Sequence, residues 1–392
     1  MKNIKNRMMA MALVLLLTGA AAPARTVERM AEAEAVEGRR ALMVDEDGDF
    51  TESVHDALSR LGGTKLRFVA GSTVTSDAVV YTDGRGTAAY AVRNGEWLEV
   101  HTSGREFMLP EDAFGLFDTD DYPNFAELTA MDLSGFNTSK VKDMGWMFSG
   151  CAALESLDLS SFKTSKVKDM GNMFWRCHAL KSITFGKGFD TSKVKDMCEM
   201  FEECHSLVSL DLSSFDTSEV TDMHAMFRHC HALQSITFGK GFDTSKVEDM
   251  AFMFYVCPSL TSLDLGGFDT SNVTDMHAMF YRCASLKTLD LSSFNTSRVE
   301  DMSDMFSDCV ALESLDLSSF KTSKVEDMSG MFLDCASLVS LDLSGFSSES
   351  HPVCHDMFLY TPEELQLKLS DAFRAYLDAL GESDDVFVPG EP

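Results

Sequence analysis

The chain has 392 residues, 45% of them hydrophobic, so it can bury an ordinary core and is not a disordered polymer. Acidic residues number 62 against 33 basic ones, a formal charge of −29. That balance argues against nucleic acid and against an anionic membrane surface, because both call for Lys and Arg.

The first elements read as an export signal. Lys2, Lys5 and Arg7 precede a ten-residue apolar run from Met8 to Leu17, and Ala22-Pro23-Ala24 fits a small-x-small cleavage site. Residues 1–24 are therefore expected to be removed, taking the charge from −29 to near −32. The run is too short to span a bilayer comfortably. No Cys follows it, no second apolar segment occurs, and no sorting-type tail stands near Gly390. The expectation is a secreted or cell-surface protein that does not insert in the membrane after cleavage.

Residues 25–39 are a charged leader, and residues 40–124 read as a β-rich region. Within it, TESVHDALSRLGG is one short helix ended by Gly62. Two hairpins follow, one turning at Asp83-Gly84 and one at Asn94-Gly95, dipeptides that supply the positive φ of tight turns. DEDGDF (45–50) spaces its Asp residues like a calcium loop, but its Gly is fourth rather than sixth. Gly84-Arg85-Gly86 sits in a hairpin, with no long helix after it to make a dinucleotide turn.

From about residue 125 the chain repeats itself. Phe136, Phe162, Phe189, Phe215, Phe242, Phe268, Phe294, Phe320 and Phe346 recur at 26 residues, except for two steps of 27 where LDLSSF becomes ITFGKGF. Such a period means stacked units that share one core. Each unit divides in two. Leu157, Asp158 and Leu159 alternate in, out and in, as a half-buried strand does. Met144, Met147, Phe148 and Cys151 fall at i, i+3, i+4 and i+7, which predicts a short helix with Asp143 at its start. The pattern decays through a ninth unit to residue 358. Thr361-Pro362-Glu363-Glu364 then opens a capping helix placed at 359–381, and 382–392 is an acidic tail. The fold class is thus an α/β repeat solenoid, leucine-rich-repeat-like, with a β-rich N-terminal region and a helical cap.

The motif L-x-S-L-D-L-S-S-F-D-T-S-x-V-x-D-M-x-x-M-F-x-x-C, over about residues 125–358, resembles the repeat of the BspA-like, leucine-rich-repeat-type bacterial surface proteins. AYAVRNGEWLEVHTSGREFMLPEDAF is similar to the strand pair that often leads into such arrays. The resemblance implies an extracellular solenoid for adhesion or partner binding, and it carries over no catalytic residue.

Four columns recur through the units. Asp132, Asp158, Asp211, Asp264, Asp290, Asp316 and Asp342 project from the strand face, interrupted by Thr184 and Thr237. Neighbouring strands lie roughly 4.8 Å apart, so adjacent carboxylates repel by about 1 kcal/mol even in water. Asp158, Asp211, Asp264, Asp290, Asp316 and Asp342 are therefore a candidate stripe for a basic ligand or a cation, or a device for solubility and against wrong strand pairing. Cys151, Cys177, Cys204, Cys230, Cys257, Cys283, Cys309 and Cys335 fall on the inward stripe, as packed thiols or as disulfides. Cys198 and Cys354 stand outside it as the more reactive thiols.

His178, His205 and His231 follow the Cys in three consecutive units, as a metal or pH site or as a variable exposed turn. Thr138 to Thr322 form a hydroxyl column suited to satisfying turn backbone. No Ser-His-Asp elbow, His-Glu-x-x-His or phosphate loop is present, so neither an enzyme nor a cofactor is expected. The functional expectation is a non-catalytic binding or adhesion protein whose partner is a host or bacterial surface protein or glycan. The alternative is a structural spacer with no dedicated ligand.

Overall fold

The computed structural model describes residues 42–44, 49–72, 79–83, 85–381 and Pro389. The expected export signal and charged leader, residues 45–48 of DEDGDF, Gly84 and all of the acidic tail but Pro389 lie outside them. Two compact units emerge, Met1–Pro110 with Met131–Thr138, and Glu111–Ala130 with Ser139–Pro392.

In the first unit, strand β1 (Leu42–Met43) precedes helix α1 (Asp49–Leu61). Asp49 and Glu52 in the first turn of α1 and Arg60 in its last oppose the helix dipole. Gly62, at φ +68°, ends the helix as expected. β2 (Lys65–Val69) pairs in parallel with β5 (Trp97–Thr102). β3 (Val79–Thr82), β4 (Ala88–Asn94) and β5 form the two expected antiparallel hairpins. Asn94-Gly95 turns with Gly95 at φ +61°. The other loop is pinned by Asp83, whose Oδ1 accepts the N–H groups of Arg85 and Thr87, both at 2.9 Å. β6 (Phe107–Met108) lies between β1 and β8 (Phe136–Asn137). From β7 (Ala130–Asp132), Asp132 pairs with Arg67 at 3.1 Å. The core is an aromatic cluster of Phe50, Phe68, Tyr81, Phe107 and Phe136.

The second unit is a run of repeats, each hydrogen-bonded to the next. Its strands are three or four residues long and half buried, like β9 (Ser156–Leu159), whose Leu157 and Leu159 face in. β9 pairs in parallel with β10 (Ser182–Phe185), and β11 (Ser209–Leu212) with β12 (Ser235–Phe238). β13 (Ser314–Asp316), β14 (Ser340–Leu343) and β15 (Gln366–Leu369) form a third parallel group. The glycines of the two 27-residue steps answer to close backbone approach. A Cβ on Gly186 would stand 2.3 Å from the Ser160 carbonyl oxygen, and one on Gly239 2.1 Å from that of Ser213.

The short helix expected after each Asp-Met does not form. Its inward stripe is as expected, since Met144, Met147, Phe148 and Cys151 are all fully buried. The backbone, however, bonds outward along the stack. The N–H groups of Met144, Trp146, Phe148 and Gly150 donate to the carbonyls of Asp169, Gly171, Met173 and Trp175 at 2.7–3.0 Å. Between them, Met147, Ser149 and Cys151 close turns onto Met144, Trp146 and Phe148. Two residues per unit, four apart, take positive φ, as Trp146 (+59°) and Gly150 (+71°) do. Consecutive turns thus reproduce the helical side-chain spacing while half the N–H groups go to the neighbouring repeat.

This arrangement stacks one Phe per unit into a ladder running from Phe117 through Phe148 and Phe227 to Phe358. Its rings are near-parallel, with centroids 5.4–5.8 Å apart. It also shows where the repeat bonding begins. Asp112 bridges Asp143, and the N–H groups of Ala113, Gly115, Phe117 and Thr119 donate to the carbonyls of Asp143, Gly145, Met147 and Ser149. The frame therefore starts within Glu111–Ala130 rather than at residue 125, in a unit whose Met and Cys have been replaced.

The far end also differs from expectation. Residues 366–369 are not helix but β15, because Leu365, Leu367 and Leu369 alternate with period two, and β15 extends the parallel ladder from β14. The capping helix α2 begins only at Asp371 and ends at Gly381, with Ser370 Oγ accepting the Phe373 N–H at 3.1 Å. Phe373 and Leu377 are its buried residues.

Candidate binding faces

On the strand face, Asp158, Asp211, Asp264, Asp290 and Asp316 are exposed and Asp342 is half buried. They do not form one continuous row. Asp158 stands opposite Thr184 and Asp211 opposite Thr237, whereas Asp316 stands opposite Asp342. Asp342 in turn faces Lys368, whose Nζ reaches its carboxylate at 2.7 Å. In each of the six, Oδ1 accepts an N–H two residues on, from Ser160, Ser213, Gly266, Ser292, Ser318 and Ser344 at 2.8–3.1 Å. Bonds from the Ser two residues on hold the Asp158, Asp211 and Asp290 carboxyls below the usual range. One oxygen of each is thus spent on its own turn; Lys368 takes the other in Asp342, and in the remaining five it is left for a partner.

The unbroken acidic column lies elsewhere, at the Asp that opens each turn segment. Asp112, Asp143, Asp169, Asp196, Asp222, Asp249, Asp275, Asp301 and Asp327 bridge successively in parallel. Each bridges backbone to backbone and also accepts the N–H two residues ahead, as Asp143 does from Gly145 at 2.9 Å. The carboxylate role expected of a helix cap is kept, but in a turn. Burial first, and neighbouring acids after it, raise the carboxyls of Asp143, Asp169, Asp222 and Asp275. Asp249 goes the other way. Burial pushes it up, but His224, with Nδ1 3.5 Å away, and the Ala251 N–H hold it below the usual range.

Between these fixed positions the units differ, and the differences gather on the turn segments. The two residues after Asp-Met and the two after Met-Phe carry Trp146, Trp175, Arg176, Arg228, Phe252, Tyr255, Tyr281 and Arg282. They contact one another along the stack. Trp146 and Trp175 lie 5.2 Å apart by centroid, and Arg176 stacks 3.9 Å above Trp175. Arg228 lies over Phe252 and Tyr255, and Tyr255 stacks on Tyr281 at 4.7 Å. Arg282 covers Tyr281 and binds Asp308 at 2.8 Å. The sequence reading missed this face, although its signal, variation within an otherwise constant frame, was present.

The Cys column is packing. All ten cysteines are free thiols. Cys177 Sγ donates to the Phe148 carbonyl oxygen at 3.2 Å and Cys204 to that of Phe174 at 3.3 Å, a contact repeated down the column. The two thiols expected to be reactive are not activated. Cys354 occupies the buried place that Met holds in other units, and burial takes it to about 12. Cys198 is half buried, and burial together with Asp196 raises it strongly. The imidazoles of His178, His205 and His231 stack face to face, with centroids 4.5 Å apart at each step.

The family described as "Mycoplasma protein of unknown function, DUF285" matches residues 122–185, 182–263 and 259–370. A leucine-rich repeat protein from Bacteroides ovatus, known from a crystal structure, is similar at 15% identity and a TM-score of 0.26. The match covers 76% of this chain and all of that one. No curated protein matches the sequence. Among the described residues no helix is long and apolar enough to cross a membrane.

Proposed function

The chain belongs to the DUF285 family, whose description assigns no function, and we propose from its own surfaces that it is an exported, non-catalytic binding protein. In this reading it is a solenoid that holds a protein partner against its turn face. One observation carries the reading. The repeat frame keeps its core constant and puts Trp146, Trp175, Arg176, Arg228, Tyr255, Tyr281 and Arg282 at the positions that vary. Trp, Tyr and Arg are the residue types that dominate binding energy at protein interfaces. The export signal at residues 1–24 supports an extracellular partner, and adhesion to a host or bacterial surface is the setting it fits.

A second reading uses the strand face. The exposure of Asp158, Asp211, Asp264, Asp290 and Asp316, each with an oxygen uncommitted to its turn, favours a basic protein or a glycan there. The test compares the wild type with two variants, Trp146→Ala with Trp175→Ala, and Asp264, Asp290, Asp316 and Asp342 all changed to Asn. Each is applied to host cells, matrix proteins and glycans at two salt concentrations. Loss of saturable binding in the Trp variant alone supports the turn face, and loss in the Asn variant alone moves the site to the strands. No binding by the wild type sinks both readings and leaves a structural spacer.

A further inference from the structure

We propose that His178, Glu203 and His205 form a binding site for a divalent transition metal of the zinc class. The three residues come from two consecutive units and offer one ligand atom each, all within 4.8 Å of one another. His178 Nε2 already lies 3.1 Å from Glu203 Oε2. Around a tetrahedral metal with bonds of about 2.0–2.2 Å, ligand atoms sit roughly 3.3–3.6 Å apart. The remaining approach is therefore a side-chain adjustment of about 1 Å, and all three side chains are only half buried.

The frame presents these ligands in register. His178 N–H donates to the Arg176 carbonyl at 2.8 Å, and His205 N–H to that of Glu203 at 2.9 Å. The same turn in each unit sets the two rings 4.5 Å apart and within 4° of parallel, so the imidazoles must rotate out of this stack for both lone pairs to converge on one metal. Two imidazoles and one carboxylate select zinc, cobalt or nickel rather than the all-oxygen cations calcium and magnesium.

Burial, and then His178 and His231, lower the His205 imidazole. Burial pushes Glu203 up, but His178 and Arg176 hold it below the usual range. Arg176, with Nε 3.4 Å from Glu203 Oε2, competes for that oxygen. A metal that displaces it leaves the guanidinium its place over Trp175.

The experiment titrates the full chain with zinc chloride by calorimetry and with cobalt chloride by visible absorption. The expected result is one saturable site whose affinity falls at least ten-fold in His178→Ala, in His205→Ala and in Glu203→Gln. His351→Ala, remote from the cluster, leaves it unchanged. Each variant's metal-free melting temperature is compared with the wild type, and His178→Gln replaces any that fails to fold. No saturable uptake up to millimolar zinc overturns the proposal. So does unchanged affinity in the folded His178→Ala, His205→Ala double variant, which would put the metal on thiols or on other imidazoles.

Discussion

Thr191 and the backbone of Asp216 form a closed clip: the Thr191 hydroxyl donates to the Asp216 carbonyl oxygen at 2.8 Å and accepts the Asp216 N–H at 2.9 Å. The same clip joins Thr164 to Asp190, Thr244 to Asp269 and Thr270 to Asn295. Thr191 is 1% exposed, so water cannot replace it. Thr191→Val keeps the shape and strands two backbone groups, which costs about 1–3 kcal/mol. Thr191→Ser keeps both bonds and loses one methyl, about 0.8 kcal/mol. Urea unfolding of the two variants, with midpoints compared at constant slope, measures the difference. A loss in Thr191→Ser with none in Thr191→Val would show that the methyl, not the hydroxyl, matters.

The Phe ladder makes a sharper test of stacking. Phe227 is fully buried and lies 5.7 and 5.5 Å from Phe201 and Phe254. Phe227→Ala leaves a cavity that two rigid rows cannot close and costs about 3–5 kcal/mol. Phe227→Leu costs less, because most of the volume remains. Thermal unfolding ranks the pair.

The inner Asp column gives a pH dependence of defined sign. Asp275 is raised by burial, and then by Asp249 and Asp301, against the His277 N–H that its Oδ1 accepts at 2.8 Å. Between the ordinary value of 3.8 and its raised value the folded chain binds the extra proton, so the ionised form is the less stable one. Stability from this group is full below the ordinary value and is lost as pH rises through the raised one. Asp275→Asn keeps an acceptor for His277 without the charge. It should raise the melting temperature at pH 7, and the gain should vanish on acidification. A gain that persists at low pH would rule out charge as its cause.

Backbone strain supplies another variant. Val256 holds φ +54° with its N–H on the Tyr281 carbonyl at 2.7 Å. A β-branched residue is poorly suited to that region, which costs an L-residue roughly 1–2 kcal/mol. The equivalent places in other units hold Gly150 and Asp308. Val256→Asn should therefore stabilise the chain, by about 0.5–1 kcal/mol, visible as a higher urea midpoint.

The thiols provide a test with a countable result. Cys177, Cys230 and Cys309 are each taken by burial to about 12. In the native chain a thiol reagent should label at most Cys198, slowly, and in denaturant all ten cysteines. Rapid native labelling of the column would show that the units open in solution.

The period, the inward residues and the existence of a shared core were legible in the sequence. The recurrence of Phe136 to Phe346 and the Met-Met-Phe-Cys spacing state them directly. Helix and stacked turns place side chains at the same intervals, however. Whether the Trp146 N–H bonds back along its own chain or across to Gly171 is not a property of its own segment. The first repeat, within Glu111–Ala130, was missed because Ala113 and Leu116 stand where Met stands elsewhere, and only the ladder to Asp143 reveals the frame. The Asp stripe was visible as a column with its breaks at Thr184 and Thr237, but that Asp342 meets Lys368 depended on β15 being a strand.

By itself, then, the sequence determined which side chains are buried and that units repeat, because burial follows from local apolar spacing. Only the tertiary structure decided the hydrogen-bond partners, the register that brings His178 onto His205 and Glu203, and the aromatic face at Trp146 and Trp175. Those relationships span about 26 residues of chain and exist only once one repeat is laid against the next.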